Sequence, residues 1–222
     1  NESRYAWMDE GMAYFLPWNL QIELSDYDHR TRAAVGFSKW AGNEMDIPMI
    51  LPSILTRDPH LSMMSYYKPA LAYEMLESAL GEELYAKGLK EFIARWNGKH
   101  PTPWDFFYTF EDVAHKDLNW FWNPWFFESH IPDLAIKDLK IENQKVKVLV
   151  ENVGKLPVPI DLTLTLEDGT KTKLTSSTSI WEKVDKEVWI ETDIASKVKS
   201  IELLNKNIPD ADATNNKFVN MN

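Results

Sequence analysis

The sequence predicts an α+β fold, helical over residues 1–130 and built of short antiparallel strands over 131–222, and three observations carry that prediction. Between Tyr66 and Glu128 apolar side chains recur with a period near 3.6, bracketed by helix start and stop signals. From Ile131-Pro132 onward the spacing switches to period-2 alternation. A length of 222 residues also suits two domains, since compact domains commonly run to about 100–150 residues.

Residues 1–24 read as a helix leading into a mixed stretch. Ala6, Trp7, Met8, Met12, Ala13, Tyr14, Phe15 and Leu16 leave that helix almost no polar side, so one of the adjacent acids Asp9 and Glu10 is expected to turn inward. A buried carboxylate needs a cation, a hydrogen-bond donor or a metal ion, or else takes up a proton. Residues 25–64 carry Pro48, Pro52 and Pro59 with little periodicity and read as irregular connection with short helices.

From Tyr66 to Leu80 the set Ala72, Met75, Leu76, Ala79 and Leu80 keeps helical spacing, with Pro69 suited to the first turn and Gly81 to the stop. Glu82 and Glu83 open a second helix, which repeats Tyr85, Leu89, Phe92, Ile93 and Trp96 on one face before Asn97-Gly98. Thr102, Pro103 and Asp105 are placed as N-cap, first and third residues of a third. A fourth runs from about Asp117 to Glu128, and the helices are expected to pair antiparallel.

Beyond residue 131 the alternating segments are "LAIKDLKIE", "KVKVLVEN", "PIDLTLTLED", "KTKLTS", "KEVWIET" and "KSIELLN", with Asp168-Gly169 as a hairpin signal. Six or seven strands within about 90 residues predict an antiparallel sandwich of immunoglobulin-like size. The polar stretch from Asp210 to Asn222 is expected to fray.

Composition narrows the function. A formal charge of −10 opposes non-specific binding to a phosphate backbone, so nucleic acid is set aside as a partner. No window approaches the roughly 20 apolar residues that span a bilayer. Cysteine is absent, which removes disulfides, thiolate nucleophiles and Cys-ligated zinc. Ten Trp imply bulky interior packing or a deep pocket.

The segment "WMDEGMAYF" resembles the "W-L-N-E-G-F-A" of the gluzincin zinc aminopeptidases, the family typified by membrane alanyl aminopeptidase and leukotriene-A hydrolase. The likeness continues in order. "SYYKPALAYEML" resembles the family's "Y-E-K-G-A-x-x-L-x-M-L", "LGEELYAKGLKEFIARW" its "L-G-E-x-x-F-x-x-G-L-R-x-Y", and "HPTPWDFFYTFEDVAHKDLNWFWNPWFFE" its "T-x-x-D-L-W…L-x-x-F-x-x-W". This implies that residues 1–130 are the all-α C-terminal half of a thermolysin-like catalytic domain and 131–222 the β-sandwich that follows it. It also implies that Glu10 is the third ligand of a His, His, Glu zinc site and that Tyr66 is the hydroxyl that stabilises the tetrahedral oxyanion. Tyr67 stands where the family has Glu and receives no role. Asp9, Met12 and Pro69 replace the family's Asn, Phe and Gly, and none of these removes a ligand.

The family's H-E-x-x-H helix lies further upstream of the third ligand than the nine residues that precede Glu10 here. His29, His60, His100, His115 and His130 form no i, i+4 pair that could replace it. The expectation is therefore a C-terminal piece of a zinc aminopeptidase that binds a peptide substrate together with its missing N-terminal portion, and that alone neither holds Zn²⁺ nor acts. Trp7, Met8, Met12 and Phe15 would then be left bare, and either a homodimer pairing those faces or residues 25–64 folded over them is expected to cover them. Two rivals stand beside this reading. In one the chain is a non-catalytic, peptidase-like interaction scaffold, which an intact upstream H-E-x-x-H would exclude. In the other it is an independent module for a peptide or glycan, which would be stabilised by its ligand without metal.

Overall fold

Helical periodicity in the first part of the chain becomes eight α-helical segments among the described residues of a computed structural model, which describes all but residues 1, 2, 26, 45, 143, 185, 195, 205–209 and 220–222. The structure is α+β and divides into two units, Asn1–His130 and Ile131–Asn222.

The opening stretch is not one helix. A 3₁₀ turn at Ala6–Met8, α1 at Glu10–Phe15 and α2 at Trp18–Leu24 follow one another, with breaks at Asp9 and at Leu16-Pro17. Asp9 is exposed and Glu10 half-buried in the first turn of α1, so the expectation that one of them turns inward is corrected. Both acids stand at a helix start, where the unpaired N–H groups favour negative charge. The connection that follows holds a longer helix than expected, α3 at His29–Ser38, capped by Asp28, whose carboxylate accepts the Thr31 N–H at 2.9 Å.

After α4 at His60–Ser62, one wide π-turn at Met63–Tyr67 leads into α5 at Lys68–Leu80, which Gly81 ends at φ 80°. Then come α6 at Glu82–Trp96 and α7 at Pro103–Ala114. The α7 start is a capping box in which the Asp105 carboxylate accepts the Thr102 N–H at 2.7 Å. The short α8 at Asn119–Trp122 and a π-turn at Asn123–Phe127 complete the unit.

Trp7, Tyr73, Phe106, Phe107 and Phe126 meet in one aromatic cluster at the centre of this unit. Trp7 is 0% and Phe15 8% exposed, while Met8 and Met12 are half-buried. The face expected to lie bare is thus covered by α5, α7 and the 123–127 turn of the same chain. No second copy is needed there, and the reason for a dimer through that face falls away.

Glu74 on α5 is a half-buried acid. Arg30 Nε lies 2.8 Å from its Oε1 without making a hydrogen bond. Burial pushes the Glu74 carboxyl up to about 7, with Arg30 opposing the rise and Glu77 and Asp28 adding to it. The native state then holds this proton more tightly than the unfolded chain, so stability is highest below pH 4.5 for this group and falls as pH rises toward 7. At roughly 1.4 kcal/mol per unit, the loss is about 3 kcal/mol. Glu74→Gln should flatten the dependence and raise stability at pH 8, as urea unfolding at pH 5 and pH 8 would report. A variant with the parent's slope would show that Glu74 does not carry it.

Among the described residues of the second unit seven strands form two sheets, ordered β1-β2-β5 and β4-β3-β6-β7, with antiparallel neighbours. The strands are β1 Leu134–Glu142, β2 Lys145–Asn152, β3 Ile160–Leu166, β4 Lys171–Ser176, β5 Glu187–Asp193, β6 Val198–Leu203 and β7 Lys217–Val219. Alternate residues are buried, Val146, Val148 and Val150 on β2 and Leu162, Leu164 and Leu166 on β3. The hairpin at Asp168-Gly169 forms as the sequence indicates, with the Gly169 N–H donating to the Leu166 carbonyl at 3.0 Å.

The C-terminal stretch does not simply fray. Asp210 accepts the Leu134 N–H at 2.9 Å, Ala211 N–H donates to the Pro132 carbonyl at 2.8 Å, and β7 pairs with β6. Short polar side chains that cap their own turns, such as Asp212 with Thr214, replace apolar burial here. Residues 220–222, the end of that expected tail, lie outside the described residues.

Candidate active site

Glu10 and Tyr66, far apart in sequence, are brought together where α1 packs against the Met63–Tyr67 turn. The approach requires glycine at position 11: a Cβ there would stand 2.7 Å from Pro69 Cβ and 3.3 Å from the Ser65 carbonyl oxygen. With the two segments so close, the Tyr66 phenol and the Glu10 carboxylate stand as neighbours in the wall of one cleft.

Hydrogen-bonding interaction with Glu10, with burial and the charges of Glu10, Asp9 and Asp58 added, pushes the Tyr66 phenol up to about 12. The hydroxyl therefore remains a donor across the physiological range. Asp9 and Glu10 line one side of a cleft of about 440 Å³, with Ala6, Ser53, Ser65 and Tyr66 also in its wall. Ser53 holds the entry of the chain, accepting the Ala6 N–H at 2.9 Å through Oγ and donating its own N–H to the Arg4 carbonyl at 2.8 Å.

Tyr66 also borders a second cleft, of about 230 Å³, whose other lining residues are Tyr14, His29, Arg32, Ser62 and Tyr67. Tyr14 stands edge-on to both neighbours, with ring centroids 6.3 Å from Tyr66 and 5.7 Å from Tyr67. Burial first, then the neighbouring Tyr67, pushes the Tyr14 phenol up, with Arg32 opposing. Tyr67 packs on α3, since a Cβ on Gly36 would lie 2.9 Å from its ring. The two adjacent tyrosines thus have different surroundings, and only Tyr66 reaches Glu10.

Among the described residues no three His, Asp or Glu side chains converge as a metal site. Glu10 offers a half-exposed carboxylate at the cleft edge, which suits one ligand of a metal. A catalytic zinc takes about three protein ligands.

The buried carboxylate of this unit is Asp46, not Asp9 or Glu10. Its Oδ1 lies 2.8 Å from Lys68 Nζ, and the two side chains are 1% and 0% exposed. Sequence reading missed the pair, because Asp46 falls in the stretch read as irregular. Lys68 alone carried a signal, as the one cation within the apolar run "MMSYYKPALAYEML".

A model of the Peptidase family M1 domain matches residues 4–125. Aminopeptidase N of Haemophilus influenzae is 28% identical over 138 residues, 58% of this chain and 16% of that protein. Aminopeptidase N of Escherichia coli is 28% identical over 109 residues, 49% of this chain and 12% of that protein. Aminopeptidase M1-A of Oryza sativa subsp. japonica is 24% identical over 174 residues, covering 71% and 19% respectively. The fold is similar to that of Legionella pneumophila aminopeptidase A, solved in complex with aspartic acid, with a TM-score of 0.64 and 20% identity over 93% of this chain and 24% of that one. The chain thus spans under a fifth of the length of the curated relatives it matches. No helix among the described residues is long and apolar enough to cross a membrane.

Proposed function

The chain belongs to peptidase family M1, and from that premise we propose that it is the part of a zinc-dependent aminopeptidase that supplies the third metal ligand, Glu10, and the oxyanion donor, Tyr66. Residues 1–130 are then the helical part of the catalytic domain and 131–222 the β-sandwich that follows. The two histidine ligands and the general base belong to residues preceding this sequence in the complete protein, and this chain alone is inactive and does not hold zinc. The zinc, when bound, polarises the scissile carbonyl and lowers the pKa of a water molecule.

The contribution of the chain's own residues follows from the cleft. A peptide whose first carbonyl lies beside Tyr66 meets a hydroxyl that stays protonated and can donate where negative charge develops. Glu10 orients that hydroxyl in the absence of substrate. The observation that carries the reading is that Glu10 and Tyr66 line the same cleft.

Tyr66→Phe in the complete protein tests it. Loss of one oxyanion donor should lower kcat by about a hundredfold or more with little change in KM. Tyr67→Phe should do far less. Equal effects of the two, or a loss confined to KM, would overturn the assignment.

A further inference from the structure

We infer that the buried Lys68–Asp46 ion pair is a positioning device that fixes the register of the Met63–Tyr67 turn and so the direction of the Tyr66 hydroxyl. The inference rests on the reading of Tyr66 as the oxyanion donor.

A buried ion pair is weak evidence for stability, because the cost of removing two charges from water offsets their attraction, and apolar residues of similar volume often serve as well. What such a pair can do is exclude alternative packings. The turn in question has alternatives. A π-turn holds one residue more than an α-turn, and the Lys68 N–H donates to the Met63 carbonyl to close it. Slipping to the ordinary α register would rotate the side chains by about 100° and swing Tyr66 away from Glu10.

Lys68 lies two residues beyond Tyr66 at the end of that turn. Its Nζ is held by Asp46 Oδ1 at 2.8 Å and lies 5.6 Å from the centre of the Phe37 ring on α3. Asp46 is anchored in turn. Its Oδ2 accepts the Gly42 N–H at 3.3 Å, and its carbonyl accepts the Ser129 hydroxyl at 2.8 Å. A one-residue slip would draw Nζ off Asp46 and leave two separated charges in the interior, a far larger penalty than the slip itself.

The other sides of the turn are closed by backbone. Gly11 lies against Ser65 and Pro69, and Gly36 against Tyr67. Those contacts set how near α1 and α3 approach, while the ion pair sets which residue of the turn faces Glu10. The donor and the carboxylate are in this way referenced to one another through the interior of the unit and not through the cleft.

The test replaces both charges in the complete protein, Lys68→Met with Asp46→Leu, and measures melting temperature, kcat, KM for an aminoacyl anilide, and the ¹⁹F spectrum of 3-fluorotyrosine placed at position 66. The expected result is a folded protein with kcat lower by about tenfold, KM within about twofold, and a ¹⁹F resonance that is shifted or split. Wild-type kcat with an unchanged ¹⁹F resonance would overturn the inference, leaving the pair a packing feature. If the double variant does not fold, Asp46→Asn is measured instead, since it keeps the shape but removes the charge that holds Nζ. A fall in kcat of a few fold at constant KM supports the inference there, and no change overturns it. Tyr66→Phe separates the two levels: if it retains full kcat, the donor reading fails, while the ¹⁹F spectrum still decides whether the pair positions residue 66.

Discussion

Trp7→Ala should destabilise the helical unit by about 3–5 kcal/mol, at the upper end of what loss of a buried aromatic costs. The indole is 0% exposed. Its ring centre lies 4.8 Å from Phe126, 5.9 Å from Phe106 and from Phe107, and 6.3 Å from Tyr73. These partners come from α5, α7 and the 123–127 turn, so the side chain packs against three segments at once. They are also rings packed on one another, such as Phe106 on Phe110 at 4.7 Å, and cannot swing into the space an alanine would leave. The cavity therefore stays open, and its cost adds to the lost transfer energy.

Against a typical domain stability of about 5–15 kcal/mol, such a loss lowers Tm by on the order of 10–20 °C. Trp7→Phe should cost much less, because it keeps a ring in place and removes an indole N–H that has no acceptor among the described residues. Trp104→Ala, at a side chain 41% exposed, should cost about 1 kcal/mol or less. Urea unfolding followed by far-ultraviolet circular dichroism reads all three. Equal losses at Trp7 and Trp104 would show that the aromatic cluster is not the centre of this unit.

The part of this architecture that local chemistry determines was legible in the sequence. "LAIKDLKIE", "KVKVLVEN" and "KTKLTS" coincide with β1, β2 and β4, because alternation, broken in β1 by a bulge between Ile136 and Asp138, leaves one face to bury and one to solvate. Gly81 and the Thr102–Asp105 box mark helix ends for reasons contained in a few residues. Segments whose order comes from polar contacts were not legible in this way. The helix α3 begins "HRTR", and β7 follows a run of Asp and Asn, so neither offers an apolar stripe to read.

The candidate site was legible only through motif blocks. No periodicity distinguishes Glu10 from the other glutamates or Tyr66 from Tyr67. The physical expectation that an acid among apolar residues turns inward holds in this unit at a different place. It failed at Asp9 and Glu10 because the helix breaks there, and it is met by Asp46, whose partner comes from α5 across the fold. A pairing of that kind depends on tertiary approach and leaves no spacing in the sequence.

Breaking that pair from one side only is the second large effect expected. Lys68→Met should cost about 3–5 kcal/mol, because Asp46 is then a buried charge with no partner, and Asp46→Leu should cost a similar amount by stranding Lys68. The double replacement removes both charges and should cost far less than the sum, a coupling of several kcal/mol in a double-mutant cycle. The two single variants should also respond to pH in opposite directions. In the parent protein burial pushes the Lys68 ammonium down, and Asp46 restores part of the shift by its charge and its hydrogen bond. With Asp46 replaced, only burial remains. The native state then binds fewer protons than the unfolded chain over the window below the ordinary lysine value of 10.5, so the stability of Asp46→Leu should rise with pH through that window. A lone carboxylate in Lys68→Met is relieved by taking up a proton instead, so its native state binds more protons than the unfolded chain and its stability should fall as pH rises. Urea unfolding at pH 5, 7 and 9 measures both slopes. Parallel responses in the two variants, or a double variant as unstable as the sum of the singles, would mean that the two groups do not face each other in the folded protein.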